Sequence, residues 1–328
     1  MTHVALRTGA RMPAVSLGCW KIDRAATKGV VLEALRAGYR GLDLACDYGN
    51  EREVGEAIRE ALAAGVCTRE ELFVTSKLWN TYHAKEHVEP ACRKTLADLG
   101  LDYVDLYLIH FPIPLKYVPI ESRYPPEWLS DAGVMEVVPV PVAETWSAME
   151  QLVDQGLCKA IGVSNFSCSL VNELLASQPR VPPAVNQVEN HPYLVQSKLC
   201  GHMRANDIAV TAFSPLGSSS YVSIGGDRGH GAGVLEDAAV KRIAETHGVT
   251  PAQVCLRWQV QRGHAVVPKS TDPARLRENL AAATCCELAE DEMAAVAALD
   301  RHLRYNDPGD FCRHMGPQWA DTGYPIHD

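Results

Sequence analysis

The 328-residue sequence has no apolar run of 18 residues, so no segment is long enough to cross a bilayer as a helix. Its opening stretch, Met-Thr-His-Val-Ala-Leu-Arg-Thr-Gly, has neither an apolar core nor a cleavage pattern, and no secretory leader is expected. An excess of positive charge is also lacking. Lys and Arg total 31 against 40 Asp and Glu, for a net charge of -9. That balance argues against nucleic acid and anionic membranes as partners, although it leaves room for a local basic seat for one phosphate. Cysteine is sparse and odd in number, at 11, and never occurs as Cys-x-x-Cys. This excludes a disulfide scaffold and argues against zinc ribbons and redox pairs, so reduced thiols in the cytosol and no metal are expected. No Gly-x-Gly-x-x-Gly follows the first strand, and no P-loop, His-Glu-x-x-His or Gly-x-Ser-x-Gly is found.

What is there is alternation. Short apolar, β-branched runs at 15–17, 41–44, 72–76, 104–109, 160–163, 184–188, 209–213 and 265–267 read as parallel strands covered on both faces. Between them lie amphipathic stretches. Val54, Ile58, Ala61 and Leu62 fall at i, i+4, i+7 and i+8, with Glu and Arg on the other face. Further helices are expected around 30–35 and at 84–98, 142–155, 170–176, 197–205, 235–247, 251–261, 273–281 and 291–299, the 251–261 helix opened by Thr250-Pro251. Eight βα units without a linker predict α/β architecture in one domain spanning 1–328, a (β/α)8 TIM barrel, with a doubly wound sheet as the alternative. Two long segments, 113–141 and 214–233, follow the fourth and seventh strands and are expected at the catalytic face. The tail from 301 has no helical period, and its aromatics suggest that it folds over the barrel mouth.

In such barrels the chemistry lies at the C-terminal strand ends. Those positions hold Asp43 with Asp47 and Tyr48, then Lys77 with Trp79 and Asn80, then His110, Ser164-Asn165, Gln187, Phe213-Ser214 and Lys269-Ser270. Singly, each would pass for an ion pair, a rim residue or a packed aromatic. Together Asp, Tyr, Lys and His suggest proton donation to a carbonyl oxygen. Tyr is a weak acid, with an ordinary pKa of about 10. A nearby ammonium favours the phenolate, and a carboxylate holds the ammonium in place. General acid catalysis of this kind contributes about 10²–10⁴-fold.

From residue 4 to residue 310 the sequence resembles the aldo-keto reductases. Gly38-Tyr39-Arg40-Gly41-Leu42-Asp43-Leu44-Ala45, Lys159-Ala160-Ile161-Gly162-Val163-Ser164-Asn165-Phe166 and Val267-Pro268-Lys269-Ser270 resemble three family signatures, in order. Gly18-Cys19-Trp20-Lys21, Leu78-Trp79-Asn80, Ile109-His110-Phe111-Pro112 and Leu303-Arg304-Tyr305-Asn306-Asp307-Pro308 are most similar to the xylose reductases and aldose reductases.

The resemblance implies a nicotinamide-dependent carbonyl reductase. It makes Tyr48 the general acid, tuned by Lys77, with Asp43 pairing Lys77 and His110 directing the substrate carbonyl. Phe213, where many relatives have Tyr, would stack on nicotinamide, and Ser164, Asn165 and Gln187 would hold its carboxamide. Ser214 and Leu216 belong to the same cofactor set. Lys269, Ser270, Thr271 and Arg275 would receive a 2′-phosphate, and Glu278 and Asn279 the adenine. An acidic Asp272 in that loop would weaken NADPH binding if it faced the ribose. NADPH is therefore expected first, with NADH as a second donor.

Trp20, Asp47, Trp79, His110, Phe111 and Asn306 are expected to line the substrate pocket, with Trp128 divided between pocket and core. The expected substrate is a small aldehyde or an aldose, xylose-like in size, taken by a monomer or homodimer. Lys116 and Arg123 leave open a reductase of aldose 6-phosphates. A non-enzymatic nucleotide-binding or regulatory relative is the reading from another class. Gly309 departs from the Trp common in xylose reductases.

Overall fold

The computed structural model describes residues 2–217, 233–308 and 326–327. Eight parallel strands form one sheet in chain order: β3 (Leu17–Gly18), β4 (Gly41–Asp43), β5 (Phe73–Leu78), β6 (Leu106–Ile109), β7 (Ile161–Ser164), β8 (Val185–Glu189), β9 (Ala209–Phe213) and β10 (Ala265–Val266). The first and last strands close the sheet on itself. Val15 and Val266 form a parallel bridge, Ser16 N donates to Val266 O at 2.9 Å, and Gly18 N donates to Pro268 O at 3.1 Å. Closure leaves no space at Gly18, where a Cβ would stand 2.5 Å from Val267 O. The expected (β/α)8 barrel is therefore the observed one, and the doubly wound alternative is overturned by closure of the sheet.

Helices follow each strand and cover the barrel from outside: α1 (Arg24–Arg36), α2 (Glu51–Ala63), α3 (Lys85–Leu99), α4 (Val142–Asp154), α5 (Cys168–Ala176), α6 (Ser197–Ala205), α7 (Ala238–His247), α8 (Pro251–Gln261), α9 (Pro273–Ala281) and α10 (Glu290–Ala297). Local chemistry sets their starts. Thr250 and Gln253 form a reciprocal capping box at α8, with Pro251 in its first turn. Asp237 caps α7, so that helix begins at Ala238 and the expected start at 235 is a 3-10 turn instead. Ser167 caps α5 and starts it at Cys168, two residues before the expected position.

An antiparallel hairpin precedes the barrel and was not anticipated. Its strands, β1 (His3–Ala5) and β2 (Arg11–Pro13), are three residues each, too short for a period to register. Leu6 and Met12 from this hairpin pack with Phe73, Leu106, Leu108, Val185 and Ala265 and so plug the N-terminal end of the barrel.

The side-chain period of two then places the chemistry. Phe73 and Leu108 belong to the plug end, and their files continue upward through Thr75 to Lys77 and from Leu108 to His110. The file from Val185 continues through Gln187 to Glu189 in the same way. Each inward file is apolar at the bottom and polar at the mouth. The expected fold-over of the tail falls largely on residues 309–325, outside the described residues, as do Gly309 and most of the 214–233 segment.

Candidate active site

At the C-terminal mouth lies a cleft of about 150 Å³, open to solvent. Asp43 ends β4 and Lys77 lies near the end of β5, with both side chains buried. Lys77 Nζ donates to Asp43 Oδ1 at 2.8 Å and to Leu44 O at 2.6 Å, and it lies 3.2 Å from Tyr48 Oη. Tyr48 sits on a 3-10 turn, Cys46–Tyr48, which Gly49 ends in left-handed backbone (φ 70). The ammonium is thus held on two sides by acceptors and faces the phenol on a third. A buried charge pair of this kind persists only when both partners are satisfied, as they are here.

Asp43 Oδ2 accepts from Gln187 Nε2 at 2.7 Å. Beside it, Ser164 Oγ donates to Gln187 O at 2.8 Å, and Asn165 Nδ2 donates to His110 O at 3.0 Å. Asn165 (φ 62) and Ser214 (φ 47) both hold left-handed backbone.

His110 follows β6. Burial lowers the pKa of its ring below the ordinary value of 6.5, and the charge of Lys77 acts in the same direction, while Asp47 opposes. The ring is therefore neutral at pH 7 and has one proton to place. Its Nδ1 is 3.0 Å from Asp47 Oδ1, but the contact is not aligned as a hydrogen bond. Those two atoms and Asn165 Oδ1 are buried without a hydrogen-bond partner among the described residues. All three belong to residues that line the cleft.

The aromatic wall has two layers. Trp20, Phe111 and Trp128 line the cleft itself. Trp79 is 1 % exposed and is not among the lining residues; it lies edge-on behind His110 at 5.3 Å and Trp128 at 4.8 Å. The expectation that Trp79 lines the pocket is corrected on this point: it backs the wall, because Trp128 from the long loop after β6 stands in front of it. Asp47 and Asn306 complete the lining on the polar side.

Of the expected cofactor residues, Ser164, Asn165, Gln187, Phe213, Ser214, Leu216 and Lys269 line the same cleft. Ser270, Thr271, Arg275, Glu278 and Asn279 are not part of its lining. They follow β10 through the loop into α9, with Thr271 and Arg275 exposed and Asn279 buried. The Asp272 carboxylate caps α9 and accepts from Arg275 N at 2.9 Å, so it is engaged with the helix end. Lys21 carried no expected role, although it stands directly after Trp20. Burial lowers its pKa, and so does the neighbouring charge of Lys269. Lys269 lines the cleft, and Lys21, whose Nζ stands over the Trp20 ring, is near enough to feel its charge.

Lys116 and Arg123, candidates for a sugar phosphate, are already engaged. Lys116 pairs with Glu136 at 2.7 Å, and Arg123 with Asp131 at 3.2 Å. Both line a separate hollow in the loop after β6, not the cleft.

A closed parallel barrel with Tyr, Lys, Asp and His at its mouth defines a class of barrel oxidoreductases. The Aldo/keto reductase family profile matches residues 12–301, and the chain belongs to that family. It is 49% identical over 322 residues to a probable NAD(P)H-dependent D-xylose reductase of Aspergillus clavatus, covering 98% of this chain and 97% of that protein. It is 48% identical to the NAD(P)H-dependent D-xylose reductase of Aspergillus niger, over 93% of this chain and 95% of that one. Among solved structures, the aldose reductase of Schistosoma japonicum matches with a TM-score of 0.83 at 38% identity, covering 93% and 94% of the two chains. Among the described residues no cluster of three or more His, Cys, Asp or Glu is placed to hold a metal, and no helix is long and apolar enough to cross a membrane.

Proposed function

We propose that the chain reduces the aldehyde of an open-chain aldose, xylose-like in size, to the alditol, using NADPH first and NADH second. The observation that carries this reading is the contact of Tyr48 Oη with Lys77 Nζ at 3.2 Å, in a cleft that also holds Asn165 and Gln187. The residues suit a nicotinamide. The unpartnered Asn165 Oδ1 is an acceptor for a carboxamide N–H, and Lys21 with Lys269 offers positive charge to phosphate.

Bound reduced nicotinamide supplies the hydride. Tyr48 gives its phenolic proton to the carbonyl oxygen. Lys77 stabilises the phenolate left behind, and Asp43 keeps the ammonium charged and aimed. His110 donates a ring N–H to the same oxygen and orients it. Trp20, Phe111 and Trp128 wall the substrate on its apolar side, while Asp47 and Asn306 take sugar hydroxyls. The same reading takes the chain as one barrel domain, a monomer or homodimer in the cytosol. Barrel closure between residues 14 and 268 supports the single domain.

The test is NADPH and NADH oxidation with xylose, glyceraldehyde, glucose 6-phosphate and mannose 6-phosphate. Xylose and glyceraldehyde are expected to turn over, with no large gain from a phosphate group. A strong preference for either sugar phosphate would replace this reading with the phosphate one, and no turnover of any aldehyde would favour a binding protein.

A further inference from the structure

Glu189 takes no part in the chemistry above, yet it is fully buried at the end of β8, two residues beyond Gln187 on the same inward file. Its Oε1 accepts the backbone N–H of Tyr305 at 2.9 Å, and its Oε2 accepts that of Asn306 at 2.9 Å. His191 Nε2 lies 2.9 Å from Oε1, and Arg304 lies 3.9 Å from Oε2. Burial alone would raise the pKa of this carboxyl, but the contacts with His191, Arg304 and Tyr305 outweigh it and the net shift is downward. The carboxylate is therefore ionised and multiply bonded at neutral pH.

The segment that it grips has no helix or strand of its own between 301 and 307. Arg301 N and Leu303 N are held by Tyr193 O at 3.1 and 3.0 Å. After that, the two N–H groups bound by Glu189 fix the chain where it enters the cleft. Asn306 is the residue of this segment that lines the cleft. A side chain on an irregular segment is only as well placed as its backbone, and ångström-scale misplacement of a recognition group is costly.

We propose that Glu189 is a positioning residue for aldose recognition: by clamping the Tyr305 and Asn306 amides it sets the Asn306 side chain against a sugar hydroxyl. This rests on the reading of the chain as an aldose reductase. The clamp should matter for a hydroxylated substrate and much less for an aldehyde of equal length without hydroxyls.

The experiment compares xylose with pentanal in the wild type, Glu189→Gln, Asn306→Ala and the double variant. The Gln amide presents an NH2 to one of the two backbone N–H groups and so releases one side of the clamp. The ratio of kcat/KM for xylose to that for pentanal is expected to fall about tenfold in Glu189→Gln, mainly through KM. The double variant should be no worse than the more affected single one, because both act through the same contact. If Glu189→Gln is too unstable to assay, Glu189→Asp carries the same test, since it keeps the charge near His191 and Arg304 while drawing the oxygens back. Equal losses on both substrates, or additive losses in the double variant, would overturn the clamp. A wild type that reduces pentanal but not xylose would sink the aldose reading instead, and one that reduces neither would sink the enzyme itself.

Discussion

Asp43 divides its carboxylate between two strands: Lys77 Nζ takes Oδ1 at 2.8 Å and Gln187 Nε2 takes Oδ2 at 2.7 Å. One oxygen serves Lys77, the group proposed to tune the acid. The other ties in the strand expected to hold nicotinamide, 144 positions away in sequence. The parts of the mouth proposed to donate the proton and to hold the cofactor are thus tied through one carboxylate.

Removing Gln187 tests that unit. Gln187→Met keeps the volume but leaves Asp43 Oδ2 without its donor in a buried place. A stability loss of about 1–3 kcal/mol is expected in urea unfolding. A denaturation midpoint unchanged from wild type would mean that Oδ2 is solvated in solution.

Tyr48→Phe removes only the phenolic oxygen. The kcat for aldehyde reduction should fall by about 10²–10⁴-fold, while NADPH affinity by fluorescence titration stays close to wild type. Lys77→Met is expected to lose activity and stability together, because Asp43 becomes an unpaired buried charge, at a cost of about 3–5 kcal/mol. Normal turnover in Tyr48→Phe would remove Tyr48 as the acid.

Stability should fall with acid in a definite window. Burial lowers the pKa of His83 and His264 to about 3, from an ordinary 6.5. The unfolded chain therefore takes up two protons below pH 6.5 that the folded chain refuses until pH reaches about 3, and stability drops as pH falls through that range. Glu51 acts oppositely. Burial raises its pKa to about 7 from 4.5, so the folded chain holds a proton that the unfolded chain lacks across that window. From these three groups alone the net loss is one proton's worth, about 1.4 kcal/mol per pH unit between roughly pH 6.5 and 4.5. Glu51→Gln should steepen it towards about 2.8 kcal/mol per unit. Urea midpoints at about pH 7, 6 and 5 measure the slope; a flat profile in both forms would contradict the burial of these rings.

Cofactor choice should depend on the rim. Lys269→Met and Arg275→Ala are each expected to weaken NADPH about tenfold, with far less effect on NADH, since only NADPH carries the 2′-phosphate. Equal effects on the two cofactors would place these residues on the pyrophosphate or the adenine instead.

Asp43, Lys77 and His110, three of the residues proposed for catalysis, stand out in the sequence because strand ends are local features. Short apolar runs mark where the strands lie, and these three are the polar residues met where three of those runs end. The hairpin was not legible: strands of three residues, partly polar, give no period. Nor was the order of the aromatic layers. Trp79 and Trp128 both look like pocket or core in sequence, and only the path of the loop after β6 puts Trp128 in front. The charges of Lys116 and Arg123 were visible, but not that Glu136 and Asp131 neutralise them.

By itself, then, the sequence determined the succession of βα units and the chemistry at each strand end, because both follow from short-range periodicity and side-chain type. Tertiary structure alone decided which of those ends share a partner. Asp43 meets Gln187, and Glu189 meets the amide of Asn306 across 117 positions, because a closed barrel turns every inward file toward one mouth. That convergence is a consequence of sheet closure, which no local pattern encodes.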